Sequence, residues 1–327
     1  MSTLTVLDQL LVVHLDIHIW SARKKLSSAD LGGANLPPDD LASLGSKRIC
    51  NPEELRAFGK LKARAVNVLE RNGIRFLGGW AVPETRMDEI SIELAAIREE
   101  FNAAKEAFLQ RYDQSVQDWI ARHPSWAGII AGSVVSEEYV RARLGFRWQM
   151  FKISPPTNCT PNAVCDNLHE ETASLGDTLF GEIAKAAKDA WINCFAGKTE
   201  ITRKALSPLK SLYDKLMGLT FVEPRVQPVA ELLGTAFAGI PKRGAICGGT
   251  LVMLQGVVCL LQSPDALKEL GQCMIEGRST PERILSGLCS APSLTGHEPD
   301  GQPDTASDDD FPVIPGMTPV IESHGLW

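Results

Sequence analysis

The chain has 327 residues, 44% of them apolar and 22% charged, with a formal net charge of -7 and a pI near 5.5. That is more chain than one ordinary domain needs, and the composition is that of a folded protein rather than a disordered one. The acidic balance argues against broad nonspecific nucleic-acid binding, which draws on many Lys/Arg contacts to phosphates, but it leaves room for a local basic patch.

The N-terminal stretch MSTLTVLDQLLVV has neither the basic segment nor the small-residue cleavage site of a secretory signal, so the expected location is the cytoplasm. VVHLDIHIW, residues 12–20, reads as a strand. Alternation would set His14, Asp16, His18 and Trp20 on one face and Val13, Leu15, Ile17 and Ile19 on the other. His14, Asp16 and His18 are candidate metal ligands. No metal is favoured, because groups about 6 to 7 Å apart along a strand cannot all reach one ion without bending it.

SARKKLSSADLGG then brings a basic cluster and a Gly/Pro-rich loop. In NPEELRAFGKLKARAVNVLERNG, Asn51 can cap a helix, Pro52 suits its first position and Gly73 its end; Leu55, Phe58, Leu61, Ala65 and Leu69 form its apolar stripe. GIRFLGGWAVP reads as a second strand broken by Gly78 and Gly79. Apolar spacings of three and four from Met87 to Trp119 predict one long helix over 84–122, roughly 55 to 60 Å of rod suited to pairing with another helix or a second copy. SEEYVRARLGFRWQMFKISPP predicts a short helix capped at Ser136 and a third strand over Phe146 to Ile153. Long connections between the strands leave room for parallel neighbours.

From Asp166 onward nearly everything reads as helix: 166–195, 207–217, 227–238, 245–262 and 264–276. The two long helices offer an antiparallel pair. GAICGGTLVMLQGVVCLLQS has the length of a membrane span, but its interior glycines and two glutamines favour a core helix, with small residues at 244, 248 and 249 suited to tight packing. The eight cysteines are spread thinly and are expected to be reduced and buried. Cys159, Cys165 and His169 have a wider gap than a zinc knuckle, and a loop entering a helix explains them equally well. Residues 290–327 turn to Pro, Gly, Ser and Asp and predict a disordered acidic tail, with the terminal HGLW as a candidate docking peptide. The fold class expected is α+β, mainly helical: a small N-terminal β-sheet with a long helical arm over 1–157, a helical bundle over 158–289, then the tail.

LDQLLVVHLDIHIWSARKKL, LGSKRIC, LKARAVNVLERNGIRFLGGWAVP and VRARLGFRWQMFKI together resemble a bacterial family of unknown function, DUF3150, carried on mobile elements and phages. The resemblance covers residues 7 to 155 and continues more loosely into the helical half. It implies a neighbouring gene for a MoxR-type AAA+ ATPase, and hence an accessory role beside a remodelling ATPase. It supplies no reaction, ligand or catalytic residue.

The binding candidates are basic: Arg23, Lys24 and Lys25, Lys47 and Arg48, and Arg141, Arg143 and Arg147. On one face they could hold a phosphate backbone or an acidic partner surface. No nucleophile elbow, zincin, kinase or dinucleotide motif occurs, and no cofactor is predicted. The expected function is therefore that of a non-enzymatic accessory or scaffold protein with a protein partner. A nucleic-acid-binding module using the basic cluster and a metal-dependent hydrolase using His14, Asp16 and His18 are the alternatives. A membrane partner is not favoured.

Overall fold

The first strand, β1 (Leu10–His18), runs from apolar to polar, and its burial follows that change. Leu10, Leu11, Val12 and Val13 are all buried, so both faces of this half are covered, whereas His14 and His18 are exposed. The computed structural model describes residues 6–27, 30, 42–154, 163–241 and 243–289. The acidic tail and Cys159 lie outside them, as does the side chain of Cys165.

After β1 come β2 (Arg23–Lys25), β3 (Ser46–Arg48), α1 (Arg56–Asn72), β4 (Ile74–Phe76) and β5 (Gly79–Pro83). Asn51 caps as expected, its side chain accepting from the Glu53 N–H at 3.1 Å, but the first turn, Pro52–Leu55, is a 3-10 helix. Gly73 ends α1 in extended conformation. A side chain there would place its Cβ 2.6 Å from the Ala81 carbonyl oxygen, so glycine is needed for close approach to β5 rather than for a left-handed turn. GIRFLGGWAVP is two strands, not one broken strand. Leu77 and Gly78, both at positive φ (45° and 78's 75°), form the two-residue turn that matches antiparallel twist.

The single helix expected over 84–122 is two, α2 (Met87–Gln110) and α3 (Tyr112–Arg122), separated at Arg111. The break turns Tyr112 into the core, where its hydroxyl donates to the Val135 carbonyl at 2.9 Å and its ring meets Trp20 edge-on at 5.7 Å. Trp20 is thus buried, not aligned with the histidines as expected. Two short helices, α4 (Ala127–Ala131) and α5 (Glu137–Ala142), lead to β6 (Gly145–Phe151). The main sheet has order β4-β5-β1-β6 and every pairing is antiparallel, so the parallel neighbours allowed for do not occur in it.

The second half contains α6 (Ala163–Ala173), α7 (Leu175–Ala190) with a π turn at Trp191–Phe195, β7 (Glu200–Ile201), α8 (Ser207–Gly218), α9 (Val226–Ala238), β8 (Ile246–Cys247), α10 (Gly248–Leu261), α11 (Pro264–Ile275) and α12 (Pro281–Cys289). The helix expected over 166–195 is therefore α6, α7 and the π turn. The long helices do not form an antiparallel pair: α2 packs on α1, α5 and β6, and α7 on β4, α8, α10 and α11. The apolar stripe of α2, including Ile90, Leu94, Ile97 and Phe101, is buried in this chain's own core.

The sheet separates two apolar clusters. Leu11, Val13, Trp80 and Val82 face α1 and α2. Leu10, Val12, Ile74, Phe76 and Ala81 face the helices of the second half. Contacts across residue 157 therefore run through the sheet and through α1 packed on α8, and the described residues fall within one unit, Met1–Ser290. At the centre of the second cluster α10 buries Leu251, Leu254, Val257, Val258 and Leu261. No single helix among the described residues is long and apolar enough to cross a membrane; α10 and α11 together reach that composition but bend by 107°. Glycines 244, 248 and 249 are not at a helix contact, having open space around them, and 244 and 248 take positive φ. Of the described free cysteines only Cys50 is buried; Cys194 and Cys273 are half-buried, and Cys247 and Cys259 are exposed, contrary to expectation.

Candidate functional site

The short strands β2 and β3 form a separate antiparallel ribbon. Its register sets Arg23 opposite Arg48, Lys24 opposite Lys47 and Lys25 opposite Ser46. Two clusters about twenty residues apart in sequence thus become one basic ribbon, with Arg23 and Arg48 on one face and Lys24 and Lys47 on the other. Like charges directly opposite oppose pairing by roughly 0.2–1 kcal/mol each. The ribbon is held instead at its ends. Ile49 and Cys50 are buried, and the Ile49 N–H donates to the Ala22 carbonyl at 3.0 Å. Ala22 is itself buried at φ 52°, a left-handed conformation that costs a non-glycine residue about 1 kcal/mol or more. At the other end the Leu26 N–H donates to the Gly45 carbonyl at 3.1 Å.

Asp30 is bound to Lys47 and also accepts from the Ser27 N–H at 2.8 Å and hydroxyl at 2.7 Å. The Lys47 ammonium first, and the Ser27 donors next, hold its carboxyl down at about 2. Arg23, Lys24 and Arg48 are exposed, and among the described residues no carboxylate pairs with them.

Beside the ribbon lies a groove of about 320 Å³. Leu26, Lys47 and Arg48 form its ribbon side, Trp119 of α3 and His123 just past its end one wall, and Trp126, Ile129 and Ile130 the other. The Trp119 Nε1–H donates to the Arg48 carbonyl at 3.2 Å and so fastens the ribbon to α3. The His123 ring lies 4.2 Å from that of Trp119. Pro124 disfavours continued helix at His123, and the 3-10 turn Pro124–Trp126 leaves Trp126 56% exposed. The sequence reading placed Trp119 on a packing stripe and missed His123, Trp126 and Asp30. The available signal was the helix stop at His123–Pro124 followed at once by a large aromatic.

The other three basic candidates do not join this surface. Arg141 is bound by Glu137 at 2.9 Å and Glu106 at 2.6 Å, which raise its pKa. Arg143 lies over the Tyr139 ring at 4.7 Å. Arg147 donates to Asp16 across the β1–β6 pairing at 2.9 Å. His18 Nε2 sits 2.7 Å from the other Asp16 oxygen. His14, Asp16 and His18 are therefore not a ligand set: a guanidinium occupies the carboxylate a cation would need, and among the described residues no three His, Cys, Asp or Glu side chains are placed to hold a metal ion.

A second cavity, about 400 Å³, lies among α1, α7 and α8. Lys215, buried beside it, donates to Glu182 at 2.6 Å and to the Glu70 carbonyl at 2.8 Å, while Glu182 accepts from the Arg75 N–H at 3.0 Å. These bonds join layers, so the set reads as a clamp.

These features define a mainly helical α+β protein with a small antiparallel sheet, covered on both faces, and a basic ribbon bordering an aromatic groove. The chain belongs to the family described as protein of unknown function (DUF3150), which it matches over residues 7–263. No curated protein and no solved structure matches it.

Proposed function

We propose that the protein works by binding, as a non-enzymatic accessory or scaffold component of a mobile-element or phage-associated system, and that the ribbon and groove bind an anionic partner. The observation that carries this reading is the register of the ribbon, which sets cation opposite cation beside Trp119 and Trp126. Cross-strand repulsion and the left-handed Ala22 both oppose folding, and such costs persist where a surface has a use for them. In a chain of net charge -7 the patch is a local field, suited to orienting one partner rather than coating the protein with polyanion. Family resemblance supports a MoxR-type AAA+ ATPase as the protein partner, met in the cytoplasm.

Retention on immobilised heparin at low salt tests the surface. The native chain should be retained despite its net charge, and Arg23→Glu with Arg48→Glu should abolish retention without changing the thermal unfolding curve. A native chain that passes unretained would overturn the reading. Co-migration with the neighbouring ATPase in size-exclusion chromatography tests the adaptor role; two separate peaks at micromolar concentrations would remove that partner.

A further inference from the structure

We infer that the ligand of this surface is single-stranded nucleic acid, its phosphates on the ribbon and its bases stacked in the groove. The inference rests on the binding reading above and names the chemistry of the partner. Cation and ring occur within one groove: Lys47 and Arg48 line it together with Trp119 and Trp126. A nucleotide presents that same pair, a charged phosphate and a flat π face joined by a sugar. An acidic protein surface would match the charge but has no use for open ring faces beside it. The two tryptophans differ in a useful way. Trp119 is fixed through its Nε1–H to the Arg48 carbonyl, a rigid wall, while Trp126 is more than half exposed and free to receive a base.

A duplex fits less well, because its base faces are already stacked on one another and unavailable to the rings. Sequence-tolerant single-strand binding needs a positive track and aromatic platforms, and both are present here. The track is short. Arg23 and Arg48, opposite each other on one face, are its exposed cations without a described carboxylate partner, so about two phosphates are neutralised, giving a log–log salt slope of about -1.4.

The test is fluorescence anisotropy of a labelled oligothymidylate, about 15 nucleotides long, titrated with the full chain over a salt series. Binding should show a slope of about -1.4. Trp126→Ala should weaken it about five- to a hundredfold with the slope kept, and Trp126→Phe should restore most of the loss. Arg23→Ala with Arg48→Ala should bring the slope close to zero. Unfolding curves matching the native chain establish that the variants fold. Absence of salt-dependent binding, equal or tighter binding of a duplex of the same length, or a Trp126→Phe as weak as Trp126→Ala would each overturn the inference. Heparin retention without oligonucleotide binding would sink the inference and leave the anionic-partner reading standing; loss of both would sink both.

Discussion

Asp30 lowers the charge that the ribbon presents, because it neutralises Lys47. Its carboxyl sits at about 2, against an ordinary 3.8, owing first to Lys47 and then to Ser27. A carboxyl depressed on folding contributes stability that is fully present above its unfolded value and is lost as pH falls through the folded one. The tether should therefore persist at pH 4 and fail towards pH 2. Titration of the Asp30 carboxyl by NMR should give a midpoint near 2 that returns towards the ordinary value in Lys47→Ala; a native midpoint near 4 would mean that the tether does not form. Asp30→Asn should release Lys47 and steepen the salt dependence of polyanion binding by about 0.7. Cys50, at the foot of the ribbon, differs from its exposed counterparts. Burial first, and the charge of Glu54 second, push its thiol up to about 12. Since the thiolate is the reactive form, alkylation at pH 8 followed by mass spectrometry should label the exposed Cys247 in the native state and Cys50 only after denaturation. The basic clusters RKK and SKR were visible in the sequence as charge. Their pairing was not, because register is set by Ala22, Ile49 and the Trp119 hydrogen bond, none of which carries charge.

At the scale of elements, the informative failure is the helix over 84–122. Three-and-four spacing continues across Arg111 without a glycine or proline, so nothing local marks the break. Its contacts come from Trp20 and Val135, which lie far off in sequence and become neighbours only in the folded chain. Elements whose signals are local, such as α1 with its Asn51 cap and Gly73 end, were legible; GIRFLGGWAVP was legible as strand but not as hairpin, because the turn uses Leu77, a residue that rarely takes positive φ. The Lys215 clamp was invisible for the same reason as the break. It joins α8 to α7 and α1 through Glu182 and the Glu70 carbonyl. Lys215→Met would keep the side chain's bulk but strand the Glu70 carbonyl and leave Glu182 its bond from the Arg75 N–H. Glu182 is about a quarter exposed, so water offsets part of the loss. The expected destabilisation is about 1–3 kcal/mol, read as a lower urea midpoint with unchanged slope. An unchanged midpoint would show that the clamp contributes nothing net.

For the whole molecule, the question is whether the sheet is a wall between two domains or the shared interior of one. Its second face, with Leu10, Val12, Ile74 and Phe76 buried, belongs to a cluster completed by α7, α8, α9 and α10. Fully burying side chains of this kind is worth about 1.5–3 kcal/mol each, so the four together contribute about 6–12 kcal/mol, an upper estimate because unfolded chains already bury some surface. That is of the same order as the whole stability of a domain, about 5–15 kcal/mol. A fragment comprising residues 1–157 would keep α1 and α2 on one face and expose the other to water, leaving a continuous apolar patch on a sheet that lacks its cover. It should bind the dye ANS, self-associate, and show no cooperative urea transition, while the full chain unfolds in a single step seen alike by far-ultraviolet circular dichroism and tryptophan fluorescence. A fragment that unfolds cooperatively at the midpoint of the full chain would mean that the first half carries its own stability and that the second half only rests on it. The location of the ribbon makes the distinction matter for binding: Ile49, Cys50 and Trp20 place it on the α1–α2 side of the sheet, so a self-sufficient first half would still retain the polyanion, and a dependent one would lose that surface along with the rest of its fold.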